Sequence, residues 1–220
     1  MNHKRVARLM RVDNLLALRR AAFRPPTTDS KHSLRVYLNL AARLTLTGPD
    51  QLWIADLTYI QLRGEFVYLA VVLDRWSRKV IGWQLSRSLQ SAVAVEALQQ
   101  ALESRQPAAG LVHHSDRGIQ YASEDYTSIL ATHGIVPSMS RAGNPWDNAA
   151  CESFMKTLKA EQIDDRRYRT LEELEQDMAA FLDGYYNRRR LHSSLGYRPP
   201  DEFEQQHASA AGAAALMEFS

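Results

Sequence analysis

From Leu52 onward the chain alternates. Leu52, Ile54, Asp56, Thr58, Ile60 and Leu62 fall on one side of an extended backbone, and Trp53, Ala55, Leu57 and Tyr59 on the other. That period of two predicts a strand. Arg63-Gly64-Glu65 reads as a turn. Residues 66–73 are almost continuously apolar and stop at Asp74, and residues 79–85 predict a third strand. The short turns between these strands imply an antiparallel meander. The period then lengthens. Residues 91–104 predict a helix with Val93, Ala97, Leu98, Ala101 and Leu102 inward. Residues 110–114 and 135–139 predict two short strands separated by a helix over 124–133. A loop over 141–148 leads to helices over 149–162 and 171–186. The expected architecture is α/β, a mixed five-stranded sheet flanked by helices.

The first 20 residues read as a basic helix with Val6, Leu9, Met10 and Leu15 as its apolar stripe. Residues 23–30, with Pro25-Pro26 and Thr27-Thr28, read as a linker. The first fifty residues hold ten Lys and Arg against three Asp, a surplus of +7; the whole chain carries +2, so the remainder carries −5. A basic arm on a mildly acidic body suits a protein that touches nucleic acid with the arm and holds cations in the body; a merely solvated basic face would give the same count. The 220 residues suffice for one ordinary domain with small appendages. A single cysteine, Cys151, excludes a disulfide framework and a cysteine-based zinc site. No apolar run is long enough to span a membrane, and the single cysteine fits a reducing cytoplasm.

Three acids stand out. Asp56 interrupts an apolar strand, where a carboxylate is costly unless a cation, an arginine or backbone donors satisfy it. Asp116 follows a strand directly, in His114-Ser115-Asp116-Arg117-Gly118, at the carboxyl end where such sheets place active sites; a turn-forming Asp before Gly118 is the plainer reading. Glu152 lies on the helix after Asn148. A wheel gathers Cys151, Phe154, Met155 and Leu158 into a core stripe, with Glu152, Lys156 and Lys159 beside it; an ordinary surface ion-pair ladder has the same spacing. Together the three form an all-oxygen ligand set of the kind Mg²⁺ prefers. Two such ions about 4 Å apart activate an attacking oxygen and stabilise a leaving one, which serves phosphoryl transfer at DNA. Lys156 and Lys159 would hold a phosphate next to the metals. Arg117, Asn148, Arg188, Arg189, Arg190 and His192 are further candidate DNA contacts. His113 and His114, adjacent on a strand, point to opposite faces and cannot readily share an ion. Asp74 reads as a turn residue, Cys151 as packing, and Trp146 either stacks on a base or caps its loop.

Three runs carry a resemblance: Trp53-Ile54-Ala55-Asp56-Leu57-Thr58-Tyr59-Ile60, then His114-Ser115-Asp116-Arg117-Gly118-Ile119-Gln120-Tyr121, then Gly143-Asn144-Pro145-Trp146-Asp147-Asn148-Ala149-Ala150-Cys151-Glu152-Ser153-Phe154. The chain resembles retroviral-type integrases, and above all the second-reading-frame transposases of the bacterial insertion-sequence-three family. Thirty-five residues separate Asp116 from Glu152, the family's spacing. Lys159 falls where the family has a basic residue, and residues 185–200 resemble its C-terminal signature. The resemblance implies a ribonuclease H-like core with Asp56, Asp116 and Glu152 as catalytic metal ligands. It implies two Mg²⁺ ions (Mn²⁺ as a substitute), cleavage at element ends and attack of the freed 3′-hydroxyl on another phosphodiester. It also implies terminal inverted repeats and target DNA as ligands, a homo-oligomer assembled on DNA, and an upstream-frame helix-turn-helix protein as partner or fusion.

The expected organisation is a helix-turn-helix remnant over 1–22, a linker over 23–48, the catalytic core with its C-terminal signature over 49–204, and a tail over 205–220. The chain opens inside the helix-turn-helix segment, so it reads as starting from an internal Met or as a truncated copy. Two other readings fit in part: a nuclease of the same fold that hydrolyses without joining, and a DNA-binding regulator of transposition without catalysis.

Overall fold

The computed structural model describes residues 2–12, 33–141, 148–164 and 166–218. Five strands form one sheet: β1 (Leu52–Gln61), β2 (Phe66–Asp74), β3 (Val80–Ser86), β4 (Val112–Ser115) and β5 (Val136–Met139), in the spatial order β3-β2-β1-β4-β5. The first three make the expected meander, with Gln61 opposite Phe66 and Trp53 opposite Asp74. β4 then lies on the other side of β1 and parallel to it, Ile54 beside His114, and β5 lies parallel to β4. Parallel neighbours need crossovers. The basic arm holds helix α1 (His3–Val12). Helix α2 (Ser91–Arg105) supplies the first crossover, and α3 (Ile119–Ala122) with α4 (Glu124–Thr132) the second. Among the described residues three α-helices follow β5: α5 (Ala149–Leu158), α6 (Leu171–Ala179) and α7 (Pro200–Glu218).

The helices expected over 149–162 and 171–186 are each continuous, but both widen at their ends into π turns, Lys159–Ile163 and Ala180–Tyr186. The Asp164 N–H reaches the Lys159 carbonyl at 2.8 Å, and the Asn187 N–H reaches that of Leu182 at 3.1 Å. Helix α7 goes beyond the sequence expectation. Its alanine-rich second half carries too little apolar contrast for a periodic signal. The linker over 23–30, the remainder of the basic helix after Val12, and Trp146 with its neighbours in the 142–147 loop lie outside the described residues. Among the described residues no helix is long and apolar enough to cross a membrane.

The alternation in β1 separates the two cores. Leu52, Ile54, Ile60 and Leu62 pack with Cys151, Phe154 and Leu158 of α5 and with Leu174 and Met178 of α6. Trp53, Ala55 and Leu57 pack with α2 and with Tyr126 and Leu130 of α4. β2 reads as continuously apolar because both its faces are buried in these two clusters. Where α2 crosses β3 the backbones nearly touch: a Cβ added to Gly82 would lie 2.1 Å from the Ala97 carbonyl oxygen.

Asp74, completely buried, is a turn residue as expected. Its carboxylate accepts from the N–H groups of Asp50 (2.7 Å), Trp76 (2.9 Å) and Ser77 (2.8 Å), and from the Ser77 hydroxyl (3.1 Å). The turn it shapes moors α7. Trp76 packs on Phe203 and His207, Lys79 pairs with Asp201 at 2.8 Å, and Arg105 of α2 pairs with Glu204.

Replacing Gly82 by Ala must push α2 off the sheet. The expected loss is about 1–3 kcal/mol, read as a lowered thermal midpoint; an unchanged midpoint would refute so close an approach.

Candidate active site

The parallel pairing of β1 and β4 does what neither strand does alone. Ile54 lies beside His114, and side chains two residues apart share a face. Asp56 and Asp116 each follow that last pair by two residues, and the Asp116 carboxylate comes close enough to Asp56 to act on its charge. β4 ends at Ser115, so Asp116 is the first residue past its carboxyl end, whereas β1 continues to Gln61. The plainer reading of Asp116 holds locally: its Oδ1 accepts the Gly118 N–H at 2.8 Å, which is the turn. A Cβ at Gly118 would sit 2.9 Å from that oxygen, so the glycine lets the carboxylate stay where it is.

Asp56 shares its face with the α5 core stripe. Cys151, Phe154, Met155 and Leu158 are buried, as the wheel required, while Glu152 and Lys156 are exposed and Lys159 is half-buried. The Leu57 N–H donates to Asp56 Oδ1 at 2.9 Å. That bond does not offset the rest of the environment. Burial, then the Asp116 carboxylate, and less strongly Glu152 push the Asp56 carboxyl up to about 7, against the Leu57 N–H and Lys159, which lower it. The Lys159 ammonium also stands 5.3 Å from the centroid of the Tyr59 ring. Asp116, Glu152 and Lys159, all distant from Asp56 in the chain, thus bear on one carboxyl. Among the described residues no three His, Cys, Asp or Glu side chains already converge on a common point as a ligand set. The donors around Asp56 are carboxylate oxygens, a chemistry that fits a hard divalent cation.

The two histidines separate as expected. The His113 ring meets the Tyr126 hydroxyl at 2.9 Å, and burial keeps it neutral, its pKa lowered to about 3. The His114 ring sits between the Ser138 (2.8 Å) and Ser140 (3.0 Å) hydroxyls, which ties β4 to β5 just ahead of Asp116. Neither sequence periodicity nor motif spacing points to that serine clamp. Tyr121 carries no signal in the sequence beyond its place in a motif. It is buried, with Asp116 and Asp56 raising the pKa of its hydroxyl beyond what burial and Tyr126 do.

The candidate DNA contacts divide. Arg117 Nε donates to the Ser140 carbonyl at 2.8 Å. Asn148, half-buried, begins α5 without capping it. Arg190 is engaged by Glu161 (Nη2–Oε1 2.7 Å, Nε–Oε2 3.0 Å) over the Tyr186 ring. Burial, Arg190 and Arg78 push His192 down to about 4, so it is uncharged at neutral pH. Arg188 and Arg189 are exposed, Arg188 at 3.8 Å from Asp201.

The sheet order and crossing helices define an integrase-type core. The catalytic core of HTLV-2 integrase, solved in complex with magnesium, superposes with a TM-score of 0.54 at 15% identity over 71% of this chain and 97% of that one. A simian T-cell lymphotropic virus intasome chain superposes with 0.60 at 16% identity over 81% and 61%. Residues 47–145 and 133–200 each match a model described as integrase core domain. At the level of sequence, the transposase for insertion sequence element IS904 of Lactococcus lactis is 38% identical over 94% of this chain and 82% of its own length. The transposase InsF for insertion sequence IS3A of Escherichia coli is 38% identical over 94% and 72%. The chain belongs to the insertion-sequence-three family of DNA transposases, polynucleotidyl transferases built on an integrase core.

An unfolded Asp releases its proton near 3.8, whereas the native Asp56 keeps it to about 7. Stability of the metal-free protein therefore falls as pH rises through that window. Asp56→Asn keeps an oxygen for the Leu57 N–H and removes the charge. In EDTA at pH 8 it is expected to stabilise the fold by on the order of 2 kcal/mol, an advantage that vanishes below about pH 4. Equal thermal midpoints at pH 8 would show that Asp56 is not desolvated beside other acids.

Proposed function

We propose that Asp56, Asp116 and Glu152 are the catalytic carboxylates of this transposase and hold two divalent cations, Mg²⁺ with Mn²⁺ as a substitute. The observation that carries this reading is Asp56 itself: a carboxyl on an interior strand, close to Asp116 just past the end of the neighbouring parallel strand, under a helix that carries Glu152, and raised to about 7 for want of a positive neighbour strong enough to balance it. A fold that keeps such a group in place has a use for its charge. When bound, the cations neutralise a phosphodiester and lower the barrier to its displacement by a hydroxyl oxygen.

The chain's own residues supply position. Asp56 is fixed by the Leu57 N–H and Asp116 by the Gly118 N–H. Glu152, exposed on α5, is the ligand free to swing inward. Lys156 and Lys159 follow it along the helix and would orient the DNA backbone. Arg117, Asn148, Arg188 and Arg189 extend that contact, while Arg190 and His192 support the C-terminal segment instead of meeting phosphate directly. The reaction is cleavage at the ends of an insertion element followed by attack of the 3′-hydroxyl on target DNA. Its DNA ligands are terminal inverted repeats, its working form is a homo-oligomer on DNA, and an upstream-frame helix-turn-helix protein supplies end recognition.

Asp56→Asn, Asp116→Asn and Glu152→Gln are each expected to abolish joined product in an assay with element-end DNA, target DNA and Mg²⁺, while leaving DNA affinity within a few-fold. Joining at the wild-type rate by any of them removes that residue from the site. Hydrolysis without joining by the unmutated protein would make it a nuclease.

A proton on Asp56 competes with the metal. Mg²⁺ affinity measured by calorimetry should therefore rise with pH up to about 7 and level off above it. A flat profile between pH 5.5 and 8 would take Asp56 out of the ligand set.

A further inference from the structure

The packing of α5 on β1 continues past the carboxylates. The two elements run the same way: Ala150 lies near Leu52 and Ile54, Lys159 near Tyr59, and Ile163 near Gln61 and Leu62. Past Lys159 the two elements part around a cleft of about 830 Å³ between the β1–β2 turn and the segment after the π turn of α5. Arg63, Arg166, Arg167 and Arg169 line it, and among the described lining residues Asp164 is the one acid. Arg166 is held by Asp177. Arg63, Arg167 and Arg169 are exposed, and no salt bridge among the described residues engages them. This concentration of positive charge lies in the part of the chain that carries a net −5. Scattered surface arginines on an acidic body would be expected to pair with its acids; these converge from two distant chain segments onto one hollow.

We propose that this cleft is a second DNA contact, which grips the phosphate backbone of the duplex as it leaves the carboxylates. The proposal rests on the reading of those carboxylates as the place where DNA reacts. Arg63 lies seven residues beyond Asp56, at most about 23 Å of extended chain, so the arginines meet the duplex within about seven base pairs of the reacting phosphate. The guanidinium is well matched to a phosphate, because its planar fork donates two parallel hydrogen bonds to phosphate oxygens. Contact of this kind carries no base readout, so the cleft serves any sequence and sets the path of the DNA.

The test is the salt dependence of binding to a 30-base-pair duplex of arbitrary sequence, measured in EDTA so that the carboxylates' chemistry plays no part. Against the unmutated chain, the triple variant Arg63→Ala, Arg167→Ala, Arg169→Ala should lower the slope of log affinity against log salt by about 0.9 per arginine that meets phosphate. The matched variant Arg63→Lys, Arg167→Lys, Arg169→Lys should keep most of that slope, which separates lost charge from a damaged fold. An unaltered slope in the alanine variant overturns the proposal, as does an equal loss in the lysine variant. Because the measurement needs no catalysis, a failure of the carboxylate assignment shows in the joining assay and a failure of the cleft shows here.

Discussion

A carboxylate on an interior strand, with a second carboxylate close by at the end of the neighbouring strand, is the constraint around which the rest of this protein is arranged. Left alone, Asp56 loses hydration and is repelled by Asp116, and its raised pKa measures that cost. The pair exists because β4 adds to β1 in parallel, and that pairing exists because α2 carries the chain across one face of the sheet. Two separate cores, one on each face, then hold the sheet rigid. The site's strain is thus imposed by the fold as a whole rather than by any local motif.

Positive charge is distributed around that constraint in two roles. Lys159 bears directly on Asp56, Lys156 is exposed one turn before it, and the arginines of the β1–β2 cleft continue the line. Other cations are used inside the structure. Arg190 fastens the C-terminal segment to Glu161, and Arg105 fastens α7 to α2. A dense basic run in a sequence therefore mixes two functions, and exposure together with partners decides which residue has which.

Much of this is legible in the sequence because it is local. The period of two in β1 sorts Leu52, Ile54 and Ile60 from Trp53, Ala55 and Leu57, and the two clusters keep that division. The wheel puts Cys151 and Phe154 inward and Glu152 at the rim. Asp74 reads as a turn residue and behaves as one. What is not legible depends on partners distant in sequence. The approach of Asp116 to Asp56 needs the β1–β4 pairing, which no spacing encodes. The serine clamp on His114 needs β5. The pairing of Arg190 with Glu161, and the convergence of Arg63 with Arg167 and Arg169, need the tertiary fold. Helix α7 escapes a sequence reading for a different reason: alanine gives a helix good propensity but no amphipathic stripe to read.

The central claim concerns where a divalent cation sits. Crystals of the protein grown with Mn²⁺ and measured for anomalous scattering give the most direct answer. The expected result is a peak bounded by carboxylate oxygens of Asp56, Asp116 and Glu152 at about 2.1 Å, near the octahedral metal–oxygen distance of small divalent ions. Saturating Mn²⁺ that scatters elsewhere, or a peak beside the aspartates with Glu152 still turned to solvent, would contradict it.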